Sequence, residues 1–593
     1  MTTRSTRATM AKLLAVLLAF TLFAAACGDD GGEGAETDDV PTDADDVAGQ
    51  NDETGDADFG TDDDPDTETT EPSPEDVPVR GGTLRVGVEA ETDGLNPTSN
   101  NFAVSAYIMG YPIFDPLFYF DQDGNWFPWL AETATPSADF MSWDIKVREG
   151  ILFHDGTELN AAALQANFET AITDPIISLA IVPSYPPENR TEVIDEYTLR
   201  YNLIRPNQHF PVGLSSQLGM VASADYLAAA AAEETLNQAP IGTGPYVLVD
   251  RDQDNVTVLE RNENYWRGTD DLHLDRIEIY INTDTAIAAE QLGTDELDVV
   301  ITSNPDATLT ARGIDGVSTL EGLYSGEDFA MMNTSKPPFD DIRARQALTF
   351  ATDREGYLTF IAQDTKPLAD SMYHPDLKWN NPDVVQEGNM PELAAPLVAD
   401  YCADVPEMCN DGKINMELQF SGPSVTQTRI MDLLEDGWQD YFNITRDLLP
   451  QDQHIIQTAT GQWEVVTWRQ FGAVDPDNEV VWLECATATG VISLNWPKYC
   501  DERRDELLFE QRATDDEARR IAIMQEIQAD MNAAYTYIFF THANWTFAIQ
   551  DDVRNLCGQT GPGPAGAEDE SITLQCNNQG RSFFHNVWLE DAS

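Results

Sequence analysis

Four consecutive residues, Trp468-Arg469-Gln470-Phe471, combine side chains that recognise small molecules. A guanidinium can meet a carboxylate through two parallel hydrogen bonds. The Trp468 and Phe471 rings offer flat faces on which a ring or sugar can stack. Arg469 is therefore a candidate for a ligand carboxylate, flanked by Trp468 and Phe471. A strand whose side chains face core or solvent would account for the same stretch. Tyr111, Tyr373 and His374 are further ligand candidates. His154 lies in a His-Asp-Gly turn with no nucleophile or second histidine close in sequence, so it reads as a turn residue and not a catalytic one.

Enzyme chemistry finds little support. The chain has no GxSxG, no GxxxxGK[ST] and no GxGxxG after a strand. Metal chemistry fails on spacing, with no CxxC, no HExxH and seven scattered histidines. Neither a cofactor nor a metal is expected, and no catalytic residue is assigned. Paired acids carry no information in so acidic a chain. A secreted hydrolase of another type is the enzymatic alternative.

The elements that would position these residues follow a leader. Arg4, Arg7 and Lys12 form a basic start, and Leu13 to Ala25 is apolar but too short to span a bilayer. Residues 1–26 thus read as a signal peptide. Ala24-Ala25-Ala26-Cys27 resembles a bacterial lipobox, which implies cleavage before Cys27 and lipidation of its thiol. The protein would then be anchored to a membrane that it does not cross. An ordinary secretory signal, leaving Cys27 as an odd thiol, is the alternative.

Gly28 to Val79 carries 21 Asp and Glu and no Lys or Arg. Such a stretch cannot bury enough surface to offset its ordering entropy. Residues 27–80 are expected to be a lipidated cysteine with an acidic, disordered tether, whose r.m.s. length is on the order of 40 Å. The full chain has a formal charge of −71, and −53 of it remains on residues 80 to 593. A domain so acidic does not bind nucleic acid or an anionic lipid face by charge.

Roughly 510 residues follow, enough for two or three cores. Gly81-Gly82 turns into an alternating strand, Thr83 to Val88, and Leu95-Asn96-Pro97 ends it. Met109 to Phe120 reads as helix or strand. Trp143 to Val147 alternates as a half-buried strand, and a helix runs from about Asn160 to Ile172. In Gly242-Thr243-Gly244-Pro245 the glycines are expected to supply positive φ. Tyr246 to Val249 reads as a buried strand, and Val256 to Leu259 as its hairpin partner across a polar turn. Ile277, Ile279 and Ile281 alternate, a helix lies near Thr285 to Leu292, and Leu297 to Ile301 is a strand. That order argues a parallel crossover and an α/β lobe.

Phe329 to Thr334 leads into Pro337-Pro338-Phe339-Asp340-Asp341, where either aspartate can cap a helix bearing Ala344, Leu348 and Ala351 on one face. Asp515 or Asp516 caps a long helix with an apolar stripe of Ile521, Met524, Ile527 and Met531. Tyr537 to Phe547 reads as one aromatic strand. Besides Cys27, the six cysteines Cys402, Cys409, Cys485, Cys500, Cys557 and Cys576 admit 15 pairings. They form three local couples in sequence, and export favours their oxidation.

Ile241-Gly242-Thr243-Gly244-Pro245-Tyr246, the hairpin, then Arg261-Asn262 and Tyr265-Trp266 resemble the mid-chain hallmark of the family 5 extracellular solute-binding proteins, the oligopeptide, dipeptide and nickel receptors of ABC importers. Gly81 to Gly87, Leu95 to Pro97, Trp143 to Thr157, and Asn333 through Pro337 to Leu348 with Asp353-Arg354 resemble that family in the same order.

The resemblance implies a periplasmic-binding-protein-like α/β fold, two α/β lobes around a cleft with an extra subdomain inserted in the first. The first lobe would comprise 81–120, 240–328 and 545–593, the insert 121–239, and the second lobe 329–544. Asn333 would sit where the chain crosses between lobes and is a hinge candidate, or else a strand end. The implied function is capture of a peptide-like or other small solute and its delivery to an ABC permease, by a monomeric lipoprotein on the extracytoplasmic face of a bacterial membrane. A sensing or scaffolding lipoprotein would share the fold. Peptide receptors of this family often carry a carboxylate a few residues after a Trp to pair with the ligand's amino terminus. Phe471 stands in that place, and the next acid is Asp475.

Overall fold

The computed structural model describes residues 77–121, 124–322, 326–422, 424–489, 492–557, 560–562, 571–573, 576 and 582–590. The signal segment, Cys27 and nearly all of the acidic tether lie outside the described residues. Among the described residues no helix is long and apolar enough to cross a membrane.

The chain forms two lobes. β1 (Thr83–Val88) starts the first, with Leu84, Val86 and Val88 almost fully buried. β2 (Phe118–Phe120) and β3 (Trp126–Pro128) make a short hairpin. β4 (Ala131–Pro136), β5 (Ser142–Val147), β6 (Thr191–Val193) and β7 (Thr198–Asn202) form a separate antiparallel sheet in the order β4-β5-β7-β6. Its helix, Ala161–Ala171, starts where Asn160 accepts the Ala163 amide. The core of this insert is continuous with that of the first lobe: Trp143, Ile145 and Tyr201 belong to the same buried cluster as Val86 and Ile279.

β8 (Tyr246–Asp252), β9 (Val256–Arg261), β10 (Arg276–Ile281), β11 (Val299–Thr302) and β12 (Val317–Gly322) return to the first lobe. β1 lies between β10 and β11 and runs parallel to both, with the helix Thr285–Leu292 as the crossover. β8 differs from the expected buried strand. It is the edge of the sheet, so only Tyr246 is buried and Val249 is 47% exposed.

The glycines before β8 also act differently from expectation. Neither Gly242 nor Gly244 has positive φ. A Cβ on Gly242 would lie 2.2 Å from the Ile113 carbonyl oxygen, and one on Gly244 2.4 Å from that of Pro112. Close backbone approach is what requires glycine here. The Gly244 amide donates to Ile113 O at 2.8 Å, and His154 Nε2 bonds to Gly244 O at 3.0 Å. His154 therefore ties the insert to this turn.

The second lobe holds β13 (Glu327–Met332), β14 (Cys409–Asn410), β15 (Lys413–Ser421), β16 (Phe442–Leu449), β17 (Val465–Gln470) and β18 (Tyr537–His542). The order is β14-β15-β17-β13-β18, with β16 on β15. Alternation along β13 fills two cores. Ala330 and Met332 face Leu348, Tyr401 and Trp438, while Phe329 and Met331 face Trp379, Met524 and Ile527. Asp341 caps the helix Ile342–Ala351, and Asp516 caps Glu517–Ala534. On the latter the stripe is Ile523, Met524, Ile527 and Met531, and Ile521 is only half-buried. At about 100° per residue Ile521 stands about 120° from Ile527, whereas Arg520 falls near the stripe's centre.

Tyr537 to Phe547 is two strands, not one. β18 ends at His542, the chain crosses at Ala543-Asn544, and β19 (Trp545–Gln550) pairs antiparallel with β11 and β12 in the other lobe. The outward crossover joins Gly322 to Glu327. The two crossovers touch, with the Ala543 amide donating to Gly326 O at 2.6 Å. Asn333 is thereby corrected as a crossover residue. It follows the far end of β13, fully buried, its Nδ2 donating to Gly461 O and Trp463 O.

Three disulfides join Cys402 to Cys409, Cys485 to Cys500, and Cys557 to Cys576.

Candidate functional site

The crossovers bring the starts of β13 and the ends of β17 and β18 to the side of the second lobe that faces the first. Glu327 and Asp328 open β13, so consecutive side chains point to opposite faces of the sheet. Two different polar sites result.

On one face Asp328 accepts from Arg469 Nε at 2.7 Å, Lys366 Nζ at 3.2 Å and Thr541 Oγ1 at 3.2 Å. Burial opposes the charge on Asp328, but Arg469 and Lys366 outweigh it and hold the carboxyl far below the usual range. Burial pulls Lys366 down, while Asp328 and the more distant Glu89 favour its charge. Arg469 is held up by Asp328 and Glu89 against burial, and its side chain remains 31% exposed.

Glu89 belongs to the first lobe. It follows β1 and accepts from Ser303 N and Oγ, both at 2.9 Å, and from Thr302 Oγ1 at 3.1 Å. It thus stands at the carboxyl ends of the parallel strands β1 and β11, where open α/β sheets bind ligands. Two second-lobe cations and one first-lobe acid therefore face each other across the crossovers.

On the opposite face Glu327 and His542 share a hydrogen bond, Oε1 to Nδ1, at 3.0 Å, and both are almost wholly buried. His374 packs edge-on against His542, with ring centroids 5.0 Å apart. Burial, with the neighbouring His374 and Arg354, pushes His542 down to about 3, so it is neutral. Burial and the charges of Glu479 and Asp328 raise Glu327 well above the carboxylate range. Burial likewise raises Glu479 to about 7, although its Oε1 accepts the Ala473 amide at 2.8 Å.

The sequence candidates divide between these surroundings. Arg469 joins the Asp328 cluster. Trp468, one residue away and on the other face, stacks on His454 and meets Trp496 edge-on. Phe471 is 2% exposed and packs on Phe329, Tyr537 and Phe539. Its φ of 72°, followed by 73° at Gly472, folds the end of β17 back so that the ring enters the core. Tyr373 is buried in that same core, near His374 in sequence. Tyr111 lies apart, in the first-lobe core against Tyr119 and Phe583. Asp475 is held by Arg520 through both carboxylate oxygens, at 2.7 and 3.0 Å.

Glu89, Glu327, Asp328 and Glu479 escaped the sequence reading, which discounted acids in an acidic chain, and Lys366 was not singled out either. A usable signal was present: Glu327-Asp328 sits directly before the apolar run Phe329 to Met332, where charge must meet a partner or burial. The Asp353-Arg354 pair also acquires a role. Arg354, 5% exposed, donates to Phe539 O at 2.8 Å and Asp370 at 3.0 Å, and also to Gln386 O and Ala369 O. One guanidinium thereby fastens the loop that carries Lys366, Tyr373 and His374 onto β18.

A second meeting of the halves lies between the insert and the C-terminal end of the helix Glu502–Ala513. Gln208 Nε2 donates to Ala513 O at 2.6 Å, the Gln208 amide to Arg512 O at 2.8 Å, and His209 Nε2 bonds to Thr514 O at 2.8 Å. Arg205 stands over the Phe509 ring at 3.8 Å.

Comparison with known proteins agrees with this architecture. The family model for bacterial extracellular solute-binding proteins, family 5 middle region, matches residues 125–489. The chain is 25% identical over 486 residues to di/tripeptide-binding protein 2 of Pseudomonas aeruginosa (strain UCBPP-PA14), covering 78% of this chain and 89% of that protein. Its fold is similar to that of DppA, an ABC transporter-associated periplasmic binding protein from Helicobacter pylori solved with the peptide STSA. The TM-score is 0.74 and the identity 18%, over 86% of this chain and 99% of that one. AgaA from A. tumefaciens R10, solved with agropinic acid, gives a TM-score of 0.73 and 20% identity over the same shares.

Proposed function

The chain belongs to the family 5 bacterial extracellular solute-binding proteins, and from that premise we propose that it captures a peptide-like or other small solute between its lobes and delivers it to an ABC importer permease. The observation that carries this reading is the charged cluster at the paired crossovers, with Asp328, Lys366 and Arg469 on one lobe and Glu89 on the other. A solute lying there touches both lobes at once and favours their approach, a hinge closure.

Residues near Gly326 and Ala543, where the crossovers touch, are the hinge. Arg469 is the residue for a ligand carboxylate, since its guanidinium is partly exposed while Asp328 orients it through Nε. Trp468, His374 and Tyr373 are assigned to the ligand environment as secondary contacts. Phe471 and Tyr111 act by packing. Phe471 removes the carboxylate expected to hold a peptide's amino terminus, so an ordinary peptide needs another acid for that end.

The protein performs no catalysis of its own in this reading. The closed form docks on the permease, whose ATPases drive import. Cys27 carries the lipid that holds a monomer on the extracytoplasmic face of the membrane, and residues 28–79 form the tether.

Native mass spectrometry of residues 81–593, purified without denaturation, tests the reading. Release of a bound small solute, together with a smaller radius of gyration when that solute saturates the protein, is the expected result. A protein that carries nothing, and that no peptide or small-solute panel compacts, would overturn it.

A further inference from the structure

Three buried polar groups of the second lobe, Glu327, Tyr373 and Glu479, are left partly or wholly without hydrogen bonds. Glu327 is 1% exposed and its Oε2 has no hydrogen-bond partner, while Oε1 is taken by His542. Tyr373 is 1% exposed and its hydroxyl also has no partner. Glu479 is 1% exposed, and its Oε1 meets only the Ala473 amide. A buried polar atom left unpaired costs about 1–3 kcal/mol, so Glu327 Oε2 and the Tyr373 hydroxyl call for a partner.

The neighbouring charges are already matched. Asp475 has Arg520 on both oxygens, and Asp328 has Lys366 and Arg469. His542 is neutral, and His374 lies beyond it. Among the described residues neither Glu327 nor Glu479 has a charged cation within ion-pairing distance. The three groups nonetheless act on one another: Glu479 on Glu327, and both on Tyr373. Glu327 and Glu479 meet the chain at the end of β17, where Glu327 pairs with Gln470 in register and the Ala473 amide bonds Glu479, and Tyr373 shares a core with Phe471.

We propose that Glu327 and Glu479, with the Tyr373 hydroxyl, form a subsite for a protonated nitrogen of the bound solute, an ammonium or guanidinium. The inference rests on the solute-binding reading above and narrows it to cationic or zwitterionic solutes. It gives the ligand's positive end an acid from β13 and another from the short 3-10 helix Pro476–Glu479, in place of one at Phe471. An entering cation releases a proton to solvent from the carboxylic acid it pairs with, and the resulting carboxylate faces the nitrogen. Arg469 lies on the other face of the same sheet end, so a zwitterion would span the edge between the two sites.

The test uses matched solutes that differ in one charge: di- and tripeptides beside their N-acetylated forms, arginine beside citrulline, and glucosamine beside glucose. Calorimetric titration of the full chain is run at pH 7 in buffers of different ionisation enthalpy. The expected result is that charged members bind at least tenfold more tightly than their neutral partners and release about one proton. Glu327→Gln should abolish that preference, and Glu479→Gln should reduce it. Equal binding of charged and neutral members, or no proton release, would overturn the subsite while leaving the receptor reading intact. Failure of every member to bind the unaltered chain would overturn the receptor reading and the subsite together. Proton release by the unaltered chain decides the matter even if a variant does not fold.

Discussion

The Arg469 guanidinium of the second lobe lies 5.7 Å from the ring centroid of Trp545 in the first. With Nε held by Asp328, the cation is oriented by one lobe and touched by the other. Replacing it with glutamine should leave Asp328 with Lys366 and Thr541 and lower stability by about 1.5–3 kcal/mol, the worth of a hydrogen bond to a charged group. Affinity for a carboxylate-bearing solute should fall at least tenfold more than for its amide. Denaturant unfolding and titration of Arg469→Gln check both, and equal losses for acid and amide would remove Arg469 from the ligand contacts.

Glu479 gives stability an unusual pH dependence. Its folded value is about 7 against an ordinary 4.5, so between these pH values the folded chain holds a proton that the unfolded chain has lost. Stability from this group is therefore present below about pH 4.5, falls as pH rises through 7, and stays low above it. Glu479→Gln keeps an acceptor for the Ala473 amide and removes the titration. Its melting temperature should exceed that of the unaltered protein at pH 8, by an amount worth on the order of 3 kcal/mol, and match it at pH 4.5. Parallel melting curves at the two pH values would show that Glu479 titrates normally.

The insert and the second lobe are joined by bonds to carbonyls at a helix end. Replacing Gln208 and His209 together by alanine removes two side-chain bonds, to Ala513 and Thr514, each worth about 1 kcal/mol. A shift of about 2 kcal/mol changes a closed-to-open ratio by roughly thirtyfold. X-ray scattering of the unliganded double variant should show a larger radius of gyration with little change in melting temperature.

Cys485 and Cys500 close a loop of 15 residues beside the helix Glu502–Ala513. Changing both to serine should cost about 3 kcal/mol in the chain-entropy model. The midpoint of denaturant unfolding reads this directly, and the loss should disappear when both proteins are measured under reducing conditions.

Much of the fold was legible because it rests on local periodicity. Ile277 and Ile279 alternate with Glu278 and Tyr280 around a capped helix, and this predicted the parallel crossover. The segment from Tyr537 to Phe547 was not legible, because both of its strands are buried and aromatic. Nothing in that run marks the change of sheet at Ala543-Asn544, and hydrophobicity records burial without saying in which core. Gly242 and Gly244 were legible as turn glycines, but not for the reason expected. The reason lay in a carbonyl more than a hundred residues away, which no local pattern reveals. In the candidate site, Arg469 stood out as a guanidinium able to meet a carboxylate, flanked by Trp468 and Phe471. Glu327 and Glu479 were hidden by abundance: among 104 acids, the few that are buried look like the rest.

The amide of Ala543 on the carbonyl of Gly326 has a consequence for how the halves of the molecule can move. That bond ties the two connections together at one point, with an antiparallel strand pair on each side of it, β12 with β19 and β13 with β18. In the proposed closure the lobes turn about this joint, and their relative motion is expected to follow one angular coordinate. Under that proposal a solute that fixes this one angle organises the whole molecule, and the opening rate of the joint sets an upper limit on how fast that solute leaves.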